Sequence, residues 1–242
     1  MYPWPHIKFV IVAHTRSGGT FLAHCLSNHT QIFCDRGEPL LSGFSYKRYL
    51  DRPEQILDLV WRACHYRVAG CKITYKQFSP AVEGHCIANN VKVIHLRREN
   101  LLRVVVSQAI TGMVQTGKLE NHVAHSDEIL APIKIHLPAP ALCGRIAKME
   151  EAIEDMTRRL SKFDTYPLTY NRLVGGEDQM TTTEIPGNEG PELCEFLGVK
   201  YEPLHASLKR VNRYPLSKML SNWTTFAYRV REEGYGHLLE GV

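Results

Sequence analysis

Two patterns of hydrophobic and polar positions alternate along the chain. Lys8 to Ala13 reads K-F-V-I-V-A, a continuous β-branched and aromatic run of the kind that forms a strand covered on both faces. A loop, His14 to Gly19, follows it. Thr20 to Ser27 then shows Phe21, Leu22, Cys25 and Leu26 at helical spacing. Val68 to Tyr75 and Val91 to Leu96 predict two more buried strands, and Thr165 to Thr169 a further one. Helices are predicted over Pro53 to Tyr66, with proline at an early position, over about Asn100 to Gln115, and over Ala139 to Phe163. In the last of these, Ile146, Met149, Ile153, Met156 and Leu160 form one apolar face. Lys118 to Pro138 and Gly175 to Gly190 carry weak patterns, and the second is polar and Gly-rich enough to read as an exposed loop. From Glu192 onward, short helices packed on the same domain are expected. Strands alternating with helices imply an α/β, three-layer fold with a central, mostly parallel sheet flanked by helices. With no internal repeat and no linker, residues 1–242 read as a single domain.

Composition narrows the partners. A chain of 242 residues with 44% hydrophobic content can bury one sizeable core. A net charge of +4 suits an anionic ligand but is not the dense basic patch of a nucleic-acid binder, so no nucleic acid is expected. The twelve histidines are scattered and none joins a cysteine or acid cluster in ligand spacing, so no metal is expected. Seven cysteines without a CxxC pair read as reduced thiols of a cytoplasmic protein. Met1 to His6 lacks a signal-peptide pattern, and Phe9 to Ala13 is too short to span a bilayer. The expectation is a soluble protein with no membrane span, its oligomeric state left open.

The strongest local signal is His14-Thr15-Arg16-Ser17-Gly18-Gly19-Thr20, between a buried strand and a helix. Glycines let backbone N–H groups converge on an anion, and the helix start adds partial positive charge. Arg16 adds a forked cation, and the Ser17 and Thr20 hydroxyls can donate to phosphate oxygens. The loop lacks the G-x-x-x-x-G-K-[ST] pattern, so the usual loop lysine is missing. The plainer alternative is a tight turn with Ser17 and Thr20 as helix caps. A second basic cluster, Arg97-Arg98-Glu99-Asn100-Leu101-Leu102-Arg103-Val104-Val105-Val106-Ser107, follows the strand at Val91 to Leu96. Arginines at a strand's carboxyl end face the crevice where α/β sheets bind ligands, and Ser107 falls two to three turns into the next helix. Such an arginine and serine can hold a phosphate monoester. A basic helix start is otherwise unfavourable for the helix dipole.

These segments resemble the PAPS-dependent sulfotransferases. R-S-G-G-T resembles their 5′-phosphosulfate loop, and R-R-E-N-L-L-R-V-V-V-S their 3′-phosphate motif. The spacing to Ser107 looks more like the bacterial branch that includes trehalose and nodulation-factor sulfotransferases than the animal cytosolic enzymes. Lesser echoes follow in order: Glu38-Pro39 after the second strand, Gly70-Cys71-Lys72 on the third, and Gln115-Thr116-Gly117 closing the long helix. Thr169 to Leu173 is similar to a Y-E-x-L segment, and Phe196-Leu197-Gly198-Val199 to F-L-G-V. The resemblance runs from about Phe9 to Leu239. It implies a P-loop-NTPase-like fold, PAPS as donor with PAP as product, and no metal. Arg16, Ser17, Gly18, Gly19 and Thr20 would hold the 5′-phosphosulfate, and Arg97 or Arg98 with Ser107 the 3′-phosphate. Two departures stand out: Gly19, where a hydroxyl residue is common, and Asn171, where the family usually has glutamate.

Transfer of a sulfonate to an acceptor hydroxyl needs a donor cradle, cations for charge on the leaving oxygen, and a base. Arg16 and Lys72 are the cation candidates. The resemblance points to Glu38 as base; beside Pro39, Leu40 and Leu41 an apolar setting would suit it to the task, whereas a surface acid would pair with Arg36 or Lys47. His14 and, less so, His95 are rival bases. The acceptor is expected to be a carbohydrate or small molecule, held by loops over Asp35 to Arg52 and Lys118 to Pro138 with Phe44, Tyr46 and Tyr49 for stacking. Lys209, Arg210, Arg213 and Lys218 form a basic segment that can close over the nucleotide. The competing readings are a P-loop kinase or other phosphotransferase, and a non-catalytic nucleotide- or glycan-binding module.

Overall fold

The structure, a computed structural model, describes residues 7–40, 52–62, 66–116, 134–176, 183–207 and 214–239. Its strands are β1 (Ile7–Ala13), β2 (Ile32–Asp35), β3 (Val68–Thr74), β4 (Lys92–Arg97) and β5 (Thr165–Thr169). Its helices are α1 (Gly19–Ser27), α2 (Pro53–Arg62), α3 (Pro80–Ala88), α4 (Leu101–Gln115), α5 (Ala139–Leu160), α6 (Tyr170–Val174), α7 (Glu189–Phe196), α8 (Leu216–Met219) and α9 (Trp223–Glu232), with a 3-10 turn at Gly236–Leu239. The strands form one sheet in the order β2-β3-β1-β4-β5, and every neighbouring pair is parallel. All five carboxyl ends therefore lie along one edge. Chain order reverses around β1, whose neighbours are β3 and β4, and this is where such sheets bind ligands.

Strand alternation divides the core into two layers. Phe9, Ile11 and Ala13 of β1 pack with Leu22, Cys25 and Leu26 of α1 and with Leu193 and Cys194 of α7. Val10 and Val12 face the opposite side, against Leu57, Val60 and Trp61 of α2 and Val82 and Cys86 of α3. Helices cover both faces, which is why these strands read as unbroken apolar runs. A third cluster joins Leu102, Val105 and Val106 of α4 to Leu142 and Ile146 of α5 and to Phe226 and Val230 of α9. The expected three-layer α/β fold is the one observed. The six described cysteines are buried free thiols. Among the described residues no helix is long and apolar enough to cross a membrane.

The differences from the sequence pattern are local. α3 was not legible as a helix. It starts at Ser79, whose Oγ accepts from the Val82 N–H at 3.3 Å, with Pro80 in the first turn. α5 ends at Leu160 rather than Phe163. The stretch Gly175 to Gly190 is only partly an exposed loop: Ile185 is buried and donates its N–H to the Leu204 carbonyl, and Glu189 is buried at the start of α7. Gly70 lets β1 and β3 close up, since a Cβ there would meet the Phe9 carbonyl oxygen at 2.4 Å.

Candidate functional site

β1 delivers the chain into the loop at the sheet's carboxyl edge. Two of its residues take left-handed backbone, Arg16 at φ 67° and Gly18 at φ 92°. For Arg16 that conformation costs roughly 1–2 kcal/mol, the sort of strain that functional sites retain. Gly18 has no alternative: a Cβ there would lie 2.9 Å from Tyr170 Cδ2 and 3.1 Å from Leu173 Cδ2. The Leu22 N–H donates to the Gly18 carbonyl at 3.1 Å and closes the first turn of α1, which has no side-chain cap at Gly18. Helix geometry leaves the N–H groups of Gly19, Thr20 and Phe21 without intrahelical acceptors, aimed out of the positive end of the dipole. This cradle fits an anion. Ser17 serves it from beneath: its buried hydroxyl donates to the His14 carbonyl at 2.7 Å and ties the loop shut.

The two basic segments meet. Arg16 Nε donates to Ser107 Oγ of α4 at 2.9 Å. Gln108 Nε2 donates to Thr15 Oγ1 at 2.9 Å, while its own oxygen accepts from Arg145. Arg98 Nη1 reaches the Arg16 carbonyl at 3.4 Å, and its guanidinium lies 4.1 Å above the centre of the Tyr170 ring. Burial, and then the Arg98 charge, push the Arg16 guanidinium below its ordinary pKa. Crowding the exposed Arg16 guanidinium against the buried Arg98 at an uncapped helix start is unfavourable until an anion joins them. Arg97 turns the other way, on the face of β4 that carries His95, where its charge is felt by Tyr75 and His95. The structure thus brings Arg98, not Arg97, to the loop.

Both candidate histidines are held neutral. His14 Nδ1 lies 3.0 Å from the Thr15 carbonyl, so it carries the proton, and Nε2 accepts the Arg98 N–H at 3.3 Å. Burial lowers its pKa. The lone pair that a base would use is already engaged. His95 Nε2 pairs with the Tyr75 hydroxyl at 2.6 Å, and burial, with the Arg97 charge, pushes its pKa down to about 4. The Tyr75 ring also meets the edge of His14, so the three rings form a floor under the loop.

A lysine reaches the loop from β3. Val68 and the Cβ position of Gly70 share the α1 face of β3, and alternation puts Lys72 there too. Its stem crosses the start of α1: a Cβ on Gly19 would lie 2.7 Å from Lys72 Cδ. Gly19 thus leaves the space for this stem. Lys72 Nζ donates to Thr20 Oγ1 at 2.9 Å and pairs with Glu38 Oε1 at 2.8 Å. The Lys72 side chain is 9% exposed and that of Glu38 28%, so the pair sits at the mouth of the cradle. Arg36, a sequence-level partner for Glu38, instead donates to Ser27 Oγ and Asn28 Oδ1.

Sequence reasoning had brought together Arg16, Gly18, Gly19, Thr20, Arg98 and Ser107, and the structure gathers them. It had not singled out Tyr170, Gln108 or Tyr75; only Tyr170 left a signal, as the tyrosine of Thr169 to Leu173. Asn171, where the resemblance leads one to expect glutamate, accepts no hydrogen bond at its buried Oδ1 among the described residues, and its N–H donates to Glu99 at 3.4 Å. Phe44, Tyr46, Tyr49, Lys47, Lys209, Arg210 and Arg213, and most of both acceptor loops, lie outside the described residues; Lys218 is exposed within α8. No family model matches this sequence. No curated protein matches it. Among solved structures, the fold is similar to that of a sulfotransferase from Alicyclobacillus acidocaldarius, with a TM-score of 0.50 and 16% identity over 97% of this chain and 96% of that one.

Proposed function

We propose that this chain is a sulfotransferase that moves a sulfonate group from PAPS to an acceptor hydroxyl of a carbohydrate or small molecule. The Arg16–Ser107 hydrogen bond carries the reading. It couples an anion cradle to a second phosphate-binding segment, which suits a donor that is anionic at both its 5′ and 3′ ends. The fold likeness to a sulfotransferase supports it. The α1 N–H groups, Thr20 and Lys72 hold the 5′ end; Arg98 and Ser107 hold the 3′-phosphate. The donor supplies an activated sulfonate: the acceptor oxygen bonds to sulfur as the sulfur–oxygen bond to the 5′-phosphate breaks, the electron pair leaving on that phosphate oxygen. Arg16 and Lys72 stabilise the charge on the leaving oxygen, and Glu38 takes the acceptor's proton. His14 positions Arg98 through its backbone N–H.

One observation favours a second reading. Lys72 beside Thr20 resembles the lysine and hydroxyl of a phosphate loop in a kinase, so the missing loop lysine no longer excludes a phosphotransferase. Calorimetry with PAP, ATP and a 3′-dephospho analogue separates the two. Micromolar PAP binding that needs the 3′-phosphate and drops at least tenfold in Arg16→Ala and Ser107→Ala is the expected result. Equal binding of ATP, or none of PAP, moves the kinase reading forward.

A further inference from the structure

We propose that Lys72 exchanges partners when donor binds, its ammonium turning from the Glu38 carboxylate to the donor anion. The inference deepens the sulfonate-donor reading and rests on it. An ammonium has three donors in a compact head. Here one is directed to Thr20 Oγ1 at 2.9 Å and another to Glu38 Oε1 at 2.8 Å. Thr20 also contributes one of the outward N–H groups of α1, so an anion seated on that helix start lies beside the Lys72 head. The stem is packed against the start of α1. It runs over Gly19 with no room for a Cβ between them, and its strand is fixed on both sides by β1 and β2. What remains free is a pivot of the ammonium between two anions, the Glu38 carboxylate and the donor.

The same exchange makes an unusual demand on affinity: the donor competes with Glu38 for Lys72, so loss of the carboxylate must help the donor. Calorimetry with PAP as probe tests this in a cycle of Glu38→Gln, Lys72→Met and the double variant. Glu38→Gln binds PAP about fivefold tighter than the parent, the order a partly exposed ion pair supports, and the gain vanishes when Lys72 is methionine. An equal gain in both backgrounds means that only the general field of Glu38 acts, and it overturns the exchange, as does no gain. Should Lys72→Met not fold, Gly19→Ala serves, because its Cβ displaces the Lys72 stem without changing any charge; Glu38→Gln then gives no gain in that background if the exchange is right, and its full gain if it is wrong. These outcomes are distinct from failure of the donor reading, in which the parent protein does not bind PAP at all.

Discussion

His95 shows how a single side chain can tie the site's floor to pH. It is buried against Tyr75, and its pKa is pushed down to about 4 by burial first and by the Arg97 charge after it. In the unfolded chain the same imidazole titrates near its ordinary 6.5. Between these values the unfolded state binds a proton that the folded state refuses, so stability is full above pH 6.5 and is lost as pH falls toward 4. For one such group the loss from pH 7 to pH 5 is about 2 kcal/mol. His14, also lowered by burial, acts in the same direction. Urea unfolding at the two pH values should show the full drop in the parent and a drop smaller by about 2 kcal/mol in His95→Gln, whatever that variant loses at pH 7. Equal drops would mean that His95 is not held neutral.

At the scale of elements, glycines separate what the sequence discloses from what it conceals. Gly70 and Gly84 look alike as letters. A Cβ at Gly70 would meet the Phe9 carbonyl at 2.4 Å and the Phe9 ring at 2.5 Å, and neither can yield without parting β1 from β3. A Cβ at Gly84, in α3, meets nothing within 4 Å. Gly84→Ala should therefore stabilise by roughly 0.5–1 kcal/mol through helix propensity, while Gly70→Ala should cost roughly 1–3 kcal/mol or more. Chemical denaturation of both variants checks the pair, and the argument fails if the signs agree. Strands β1, β3 and β4 were legible because burial on both faces leaves a continuous apolar run. α3 was not, because it buries only Val82 and Cys86 and so presents no stripe. Ile185 was hidden for a different reason: it stands alone among polar residues, and the Leu204 carbonyl that accepts its N–H lies beyond α7. In the site, loop and arginine cluster could be read because each is contiguous in sequence. The Lys72–Glu38 pair could not. It depends on β2 pairing with β3 in the register Asp35 to Cys71, which brings the chain after β2 back over Lys72, and no local pattern encodes that register.

Across the whole molecule, the phosphate-binding helix α4 is held from a segment that the chain reaches only at its far end. Asn100 acts twice. Its Oδ1 accepts the Arg103 N–H at 3.0 Å and starts α4, and its Nδ2 donates to the Leu238 carbonyl at 3.0 Å, a residue 138 positions away. Arg103 adds a bond to the Tyr214 carbonyl at 3.5 Å, and the apolar cluster of α4, α5 and α9 lies behind them. Ser107, two turns on, is therefore presented to Arg16 by a helix whose start is anchored in the C-terminal turn. Removing the Asn100 side chain loses a helix cap and a long-range hydrogen bond, about 1–2 kcal/mol together. For a chain of this size that lowers the melting temperature by roughly 2–8 °C. The location of the loss matters more than its amount. In Asn100→Ala, amide exchange should quicken in the first turn of α4 and at Gly236–Leu239, two segments joined through this side chain, and stay unchanged in β1 and β3. PAP affinity should fall with it, because the Ser107 hydroxyl is then less well fixed opposite Arg16. Faster exchange spread evenly over the sheet would instead make Asn100 an ordinary contributor to global stability, and would detach the C-terminal turn from the site.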